Sequence, residues 1–285
     1  VAWLKGRIVL VEHPGVDRPF PVVAWHDPTL DPGRPDHRVG YLITDALWSA
    51  RALQPFEPTL SAEIDRGLHA LGWSENGLQD VLFHPVAALR HRSDDEDPVH
   101  GHSLGRHPVV GGGSVELRVM RQRLDPDFTR GHPALFAEHA AYEALADAWA
   151  GRTDEARRRV LAIVRDDRAA DPKDAIFWDE DAGILVDRVH LDDWVRLREG
   201  RAETCPNPSF KLGVLLYAIR RLGLEAEVGP ALDAMRRRLW SAQHEDGGVA
   251  HFVRVGRDGR ARRAPGATGE STAIAILSET VRPAD

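Results

Sequence analysis

The stretch FAEHAAYEAL, residues 136–145, places acid–base side chains in an otherwise apolar segment. Glu138 and His139 are adjacent, and Tyr142 shares a helix face with Glu138 because the two are four positions apart. A carboxylate among apolar residues needs a partner or takes a raised pKa, and both arrangements occur at active sites. We therefore predict that Glu138 and His139 are catalytic. The alternative is a satisfied polar contact in the protein interior.

Two further acids lie at comparable places in apolar helices. Glu270 is in TGEST, at a helix start, where the backbone amide dipoles favour an anion. Asp45 follows Thr44 in the first predicted helix. If these helices converge on one pocket, Glu270 and Asp45 join the catalytic set, whereas the alternative for Glu270 is N-terminal capping.

An acidic, histidine-rich segment in the first half of the chain contains five candidate metal ligands: Asp94, Asp95, Asp97, His100 and His102. Carboxylate oxygens suit Mg²⁺, which can bridge to a diphosphate. The same carboxylates can instead hold one proton between them, because like charges raise each other's pKa. Imidazole with carboxylate suits Zn²⁺ or another transition metal. The candidate cofactor is therefore Mg²⁺ or another divalent metal, and an exposed acidic loop is the alternative.

Aromatic and polar side chains elsewhere provide candidates for substrate contact. They are Tyr142, Trp48, Trp178, His84, Asp246 and His251. Tryptophan rings stack on sugar rings, and paired carboxylates such as Glu138 with Glu270 or Asp246 suit chemistry at a glycosidic bond.

The elements that must position these residues are mainly helical from residue 40 onward. Four predicted helices are apolar on most faces and rich in small residues, near 41–54, 134–150, 209–222 and 270–281. Three others carry one apolar stripe and a charged back, near 59–71, 153–165 and 229–242. A helix that is apolar all round is buried, whereas a striped helix lies at the surface. Their alternation predicts an α/α toroid of antiparallel helical hairpins, with an irregular α-bundle as the alternative.

Short β-rich segments interrupt the helices. IFWDEDAGILVDRV and VAHFVRVGRDGRARR have the alternation and turn residues of β-hairpins, and GGSVELRV has the alternation of a strand. We expect them to decorate one rim of the toroid. Residues 1–39 are also β-rich, and we expect them to pack on a single domain spanning residues 1–285.

The segment RRLWSAQHEDGGV, residues 237–249, resembles the QW-type repeat of terpenoid cyclases and the related turns of protein prenyltransferases. An aromatic residue near a helix end is followed by Gln243, acidic residues and Gly247-Gly248, although Val249 stands where the repeat usually has Trp. GATGESTAIAIL then resembles the start of the next inner helix of those α/α toroids. Six-hairpin glycosidases and polysaccharide lyases use similar turns in a similar toroid.

The resemblance implies an enzyme that acts on an isoprenoid substrate by carboxylate acid or Mg²⁺–diphosphate chemistry. The alternative is a carbohydrate-active α/α-barrel hydrolase or lyase that uses paired carboxylates. A second alternative is a non-catalytic helical scaffold, which would leave the buried acids unexplained.

Composition narrows the partners. The net charge of −7 without a basic stripe argues against nucleic acid, and no apolar run reaches the roughly 18 residues of a membrane span. A single cysteine, Cys205, favours a cytoplasmic location, and a buried thiol is a simpler interpretation of it than a nucleophile. The expected partner is a small-molecule or oligosaccharide substrate.

Overall fold

The computed structural model describes residues 1–14, 16–23, 41–70, 102–119, 136–165 and 176–283. The chain divides into two compact units. Unit 1 comprises residues 1–128, 245–248 and 266–276, and unit 2 comprises residues 129–244, 249–265 and 277–285.

Unit 1 contains two small sheets. After a short helix, α1 (Ala2–Lys5), strands β1 (Ile8–Val11) and β2 (Phe20–Val23) form an antiparallel pair, as predicted for the β-rich N-terminal segment. In the second sheet β4 (His102–Pro108) pairs antiparallel with β5 (Ser114–Val119), and the two-residue strand β3 (Tyr41–Leu42) lies parallel to β5. Three successive glycines between β4 and β5 have positive φ, which lets the chain reverse there.

Helices α2 (Ile43–Leu53) and α3 (Pro58–Ala70) form a helical hairpin in unit 1. Gly67 of α3 lies against Phe20 of β2 so closely that an added Cβ would be 2.0 Å from the ring. Phe20 also belongs to a buried apolar cluster with Val11, Val22 and Leu117, which joins the two sheets. The absence of a side chain at Gly67 therefore allows α3 to pack directly on the Phe20 ring of β2.

The turn of the QW-like segment belongs to unit 1 and has a packing role. Asp246 accepts a hydrogen bond from the indole Nε1 of Trp3 at 3.2 Å and one from the backbone of Gly248 at 3.0 Å. Gly247 has φ +93°, and a Cβ on Gly248 would lie 2.4 Å from the Trp3 Nε1 and 2.6 Å from the Ala267 Cβ. The two glycines are needed for chain reversal and for close contact with Trp3, respectively.

The helices of unit 2 are α4 (Ala137–Trp149), α5 (Thr153–Val164), α6 (Leu191–Arg198), α7 (Ser209–Arg221), α8 (Glu225–Val228) and α9 (Pro230–Trp240). Helix α4 packs on α5 and α7, and α7 also packs on α9. Helix α7 is buried on most faces, whereas α9 buries only the stripe Ala231, Met235 and Leu239. The predicted difference between apolar and striped helices is confirmed for this pair.

The strands of unit 2 form two small antiparallel sheets. Strands β6 (Phe177–Asp179) and β7 (Ile184–Val186) form one hairpin. Strand β8 (Thr204–Pro208) pairs with β9 (Phe252–Gly256), which pairs with β10 (Ala261–Arg263). The last helix, α10 (Gly269–Thr280), contributes residues up to Ile276 to unit 1 and the remainder to unit 2.

The prediction of a mainly α toroid is wrong. Helices account for 49% of the described structure and strands for 21%, so the fold mixes helices with small, mostly antiparallel sheets. All seven predicted helices form close to their expected bounds, but their burial pattern does not fix how they are arranged. The segments expected at a rim form the predicted β structure: β6–β7 and β9–β10 are hairpins, β8 adds to the second of them, and β5 pairs with β4 and β3.

In the part of the chain that the structure describes, no helix combines the length and the apolar character needed to cross a membrane.

Candidate active site

A cluster of charged and titratable side chains lies in unit 2 where four elements end or begin. Helix α4 begins with Ala137 and carries Glu138 in its first turn, and α7 carries Lys211 in its first turn. Asp187 directly follows β7, and His190 directly precedes α6. Because each of these residues lies at the end or the start of its element, two carboxyl groups, one ammonium group and one imidazole are brought together.

Asp187 is the buried anchor of the cluster, with 1% of its surface exposed. Its Oδ2 accepts from the Lys211 Nζ at 2.6 Å and from the backbone N–H of Ala137 at 3.3 Å. Its Oδ1 contacts the His190 Nδ1 at 2.8 Å and accepts from the His190 backbone N–H at 3.1 Å. Burial alone would raise the pKa of Asp187, but the hydrogen bond from His190 and the charge of Lys211 outweigh it and lower the pKa to about 2.

The ionised Asp187 fixes the tautomer of His190. A carboxylate only accepts hydrogen bonds, so the His190 Nδ1 must carry the proton and donate it to Asp187. The opposite nitrogen, Nε2, is not used by this contact, and 17% of the His190 side chain is exposed. An imidazole held in this way can accept a proton through Nε2.

Glu138 is in the opposite electrostatic situation. Among the described residues no group hydrogen-bonds to its buried Oε2, and the Lys211 Nζ lies 3.8 Å from that atom. Burial raises the pKa of Glu138 to about 7, although the Lys211 charge acts in the opposite direction. At neutral pH this carboxyl group is therefore divided between its acid and its base form.

The Lys211 ammonium lies 4.5 Å from the centre of the Phe136 ring, besides its contacts with the two acids. His139 packs edge-on against the same ring at 4.9 Å between ring centres. Burial and then the Lys211 charge lower the pKa of His139 to about 4, so its imidazole is neutral at pH 7. Burial and then the Lys211 charge also lower the pKa of His251, although more of its surface is exposed than that of His139.

The structure brings together part of the site predicted from sequence. Glu138 and His139 are in the cluster, and Tyr142 is buried on the same helix. His251 is close enough for the Lys211 charge to lower its pKa. Trp178 is buried in unit 2, with 1% of its surface exposed, and so offers no open ring face for a sugar.

Other predicted residues belong to unit 1. Asp246 binds Trp3 and its own turn, Glu270 lies in the first turn of α10, and Trp48 is buried with 3% of its surface exposed. The side chain of Asp45 lies outside the described part of the structure.

The predicted metal site also falls outside the described residues. This applies to Asp94, Asp95, Asp97 and His100, to the side chain of His102, and to the substrate-binding candidate His84. Within the ranges that are described, no group of three or more His, Cys, Asp or Glu residues is arranged to hold a metal ion. Magnesium or another divalent metal therefore stays a prediction.

Sequence reasoning missed Asp187, His190 and Lys211. Two signals were available: the D-x-x-H spacing of DRVH after a predicted strand, and a lysine in a first helical turn of a chain with only three lysines among 37 basic residues. Cys205 is buried, and burial with nearby acids raises its pKa to about 12, so its thiol is not an activated nucleophile.

Comparisons with protein-family models, with curated proteins and with solved structures give no match, so the roles of these residues are inferred from their geometry and chemistry.

Proposed function

We propose that this chain is an acid–base enzyme that acts on a carbohydrate, with Glu138 exchanging a proton with the substrate. The observation that carries the proposal is the buried, unpartnered Oε2 of a carboxyl group whose pKa is about 7. A general acid or base works best when its pKa lies near the working pH, because both protonation states are then available. Glu138 meets that condition through burial.

His190 supplies a second proton-transfer group. Asp187 holds the imidazole in one tautomer through the contact of 2.8 Å with Nδ1, which leaves Nε2 as the proton acceptor. Asp187 itself is buried and accepts hydrogen bonds from Lys211, His190 and Ala137, so its role is orientation. An acid and a base held by separate elements are the minimum for breaking a bond between a sugar and its leaving group.

The character of the cluster favours a polar substrate over an isoprenoid. A carbocation is stabilised by open aromatic faces, but the Lys211 ammonium already lies 4.5 Å from the centre of the Phe136 ring and would repel a second cation. Carboxyl, imidazole and ammonium groups instead match the hydroxyl groups of a sugar. The isoprenoid function implied by the QW-like turn stays a prediction and is tested beside the carbohydrate.

The experiment is the Glu138→Gln variant, which keeps the shape of the side chain and removes its exchangeable proton. Wild type is first assayed on neutral oligosaccharides, uronate-containing oligosaccharides and prenyl diphosphates. New reducing ends report hydrolysis, and ultraviolet absorbance of an unsaturated sugar reports elimination. On the accepted sugar we expect kcat to fall by about 10²–10⁴-fold in the variant.

The matched control is Glu143→Gln, on the same helix. Glu143 is paired with Arg159 of α5 at 3.2 Å, so its variant should keep kcat. Full activity of Glu138→Gln on the accepted substrate contradicts the proposal. Turnover of a prenyl diphosphate and of no sugar contradicts the substrate class.

A further inference from the structure

Lys211 lies between two carboxylates that compete for its charge. The Lys211 Nζ is 2.6 Å from the Asp187 Oδ2 but 3.8 Å from the Glu138 Oε2. The first distance is a charge-assisted hydrogen bond, whereas the second exceeds hydrogen-bonding range. The ammonium therefore binds one acid and leaves the other without a donor on its buried oxygen.

The preference for Asp187 has a structural cause. Asp187 is itself held by donors from two other places in the fold. They are the backbone N–H of Ala137, and the backbone N–H and the Nδ1 of His190. The Phe136 ring lies beside the ammonium, 4.5 Å from its nitrogen. A lysine suits this arrangement because its ammonium is a compact point charge, whereas the guanidinium fork of an arginine can donate to two groups at once.

We propose that Asp187 is a positioning residue that holds the Lys211 ammonium out of hydrogen-bonding range of Glu138, so that Glu138 keeps an exchangeable proton. The importance of this arrangement for catalysis rests on the proposed function. The arrangement itself is a property of the free protein and is measurable without a substrate.

The charged and titratable groups that act on Glu138 come from three other elements. They are Lys211 on α7, Asp187 after β7 and His190 before α6. On its own helix His139 is the neighbour, and it is neutral at pH 7 because its pKa is about 4. From α5, Arg159 contacts Glu143 and Asp147. Loss of the Asp187 charge therefore acts on Glu138 in two ways: it removes a like charge that raises the Glu138 pKa, and it frees Lys211.

The test is a carbon-13 NMR titration of the full chain labelled at the glutamate carboxyl carbons. The Glu138 signal is identified by its absence in Glu138→Gln. Wild type should titrate with a midpoint near 7. In Asp187→Asn the midpoint should fall by about one pH unit or more, because a like charge is gone and the ammonium becomes free to pair with Glu138. In Lys211→Gln it should rise, because the favourable charge is gone.

Two controls separate this effect from general changes. Asp192→Asn removes an exposed carboxylate from α6 and should leave the Glu138 midpoint unchanged. The double variant Asp187→Asn with Lys211→Gln removes both charges, so it leaves no unpaired buried ion if the single Asp187 variant fails to fold. Without the ammonium, its Glu138 midpoint should stay at or above that of wild type.

The positioning role is overturned by an unchanged or raised midpoint in folded Asp187→Asn. It is also overturned if the fall in Asp187→Asn is no larger than the fall from Lys211→Gln to the double variant, because that second difference measures the direct effect of the Asp187 charge alone. The outcomes also separate this proposal from the proposed function. A lowered midpoint in Asp187→Asn with full activity of Glu138→Gln supports the positioning role and removes the catalytic one. A wild-type midpoint near the ordinary value of 4.5 overturns both.

Discussion

Two partly exposed glutamates on helices of unit 2 have opposite chemistry. Glu279 of α10 has 22% of its side chain exposed and Glu138 has 12%. Glu279 accepts from the Arg236 Nε at 2.9 Å and Nη2 at 3.0 Å, and from the Trp240 Nε1 at 3.0 Å. Arg220 adds an ion pair at 2.9 Å. Burial would raise the pKa of Glu279, but these hydrogen bonds and charges lower it.

Among the described residues, Glu138 forms an ion pair with Lys211 at 3.8 Å, and that ammonium is hydrogen-bonded to Asp187. The two glutamates differ in how deeply the carboxyl group is buried, in how many donors reach it and in how firmly those donors are bound to other groups. A glutamate whose carboxylate accepts several hydrogen bonds stays ionised and links neighbouring helices. A buried glutamate with few donors keeps its proton near neutral pH. This is why we assign proton transfer to Glu138 and a structural role to Glu279.

The largest expected effect is the pH dependence of stability at Glu138. Its folded pKa of about 7 exceeds its ordinary value of 4.5, so the protonated form is favoured in the folded state. The stability of wild type relative to Glu138→Gln should therefore be greatest below pH 4.5 and should fall as pH rises to 7. The total change is about 3 kcal/mol.

Urea unfolding of both proteins across this pH range measures the effect, because other titrating groups cancel in the difference. The Glu279→Gln pair should show the opposite slope, since the lowered pKa of Glu279 gives stability that is lost as pH falls through the acidic range. Parallel curves for wild type and Glu138→Gln would remove the distinction between the two glutamates.

The next effect is the loss of stability in Glu279→Gln at neutral pH. The variant removes the Glu279 carboxylate from two guanidinium groups. Arg236 keeps its pair with Asp233 at 3.6 Å, whereas Arg220, with 15% of its side chain exposed, loses its pair at 2.9 Å. We expect the free energy of unfolding to fall by about 2 kcal/mol, because hydrogen bonds to charged groups are involved. Chemical denaturation at pH 7 checks this, and a change within error would show that solvent screens the cluster.

The smallest effect on stability is expected at Glu143, which has a cationic partner but fewer hydrogen-bond donors than Glu279. Burial raises the pKa of Glu143, but Arg159 pairs with it at 3.2 Å, and 44% of the Arg159 side chain is exposed. Glu143→Gln should change the free energy of unfolding by less than about 1 kcal/mol, as is usual for partly exposed ion pairs. Denaturation beside Glu138→Gln measures it. A loss as large as that of Glu279→Gln would mean that α4 depends on this pair.

Hydrophobic periodicity was sufficient to predict the seven long helices and the β-hairpin at residues 176–186, because the spacing of apolar residues along a segment reflects which of its faces is buried. It did not predict their arrangement, since α7 can be buried in a toroid or by packing on α4 and α9 equally well. Glu138 and His139 were found because polar groups stand out in an apolar helix. Asp187 and Lys211 were missed because hydrophobic periodicity does not single out either of them, and neither the D-x-x-H spacing nor the rarity of lysine shows that the two lie 2.6 Å apart.

The hydrogen bond between Trp3 and Asp246 has a consequence for how the chain folds during synthesis. The two residues are 243 positions apart, and unit 1 also includes residues 266–276. At the roughly 5–20 residues per second of translation, Asp246 leaves the ribosome about 12–50 s after Trp3. The indole and the face around it, which are buried in the finished protein, remain uncovered throughout that interval. Completion of unit 1 must therefore wait until most of unit 2 has been made, so chaperone binding to the nascent chain should concentrate on the segment around Trp3.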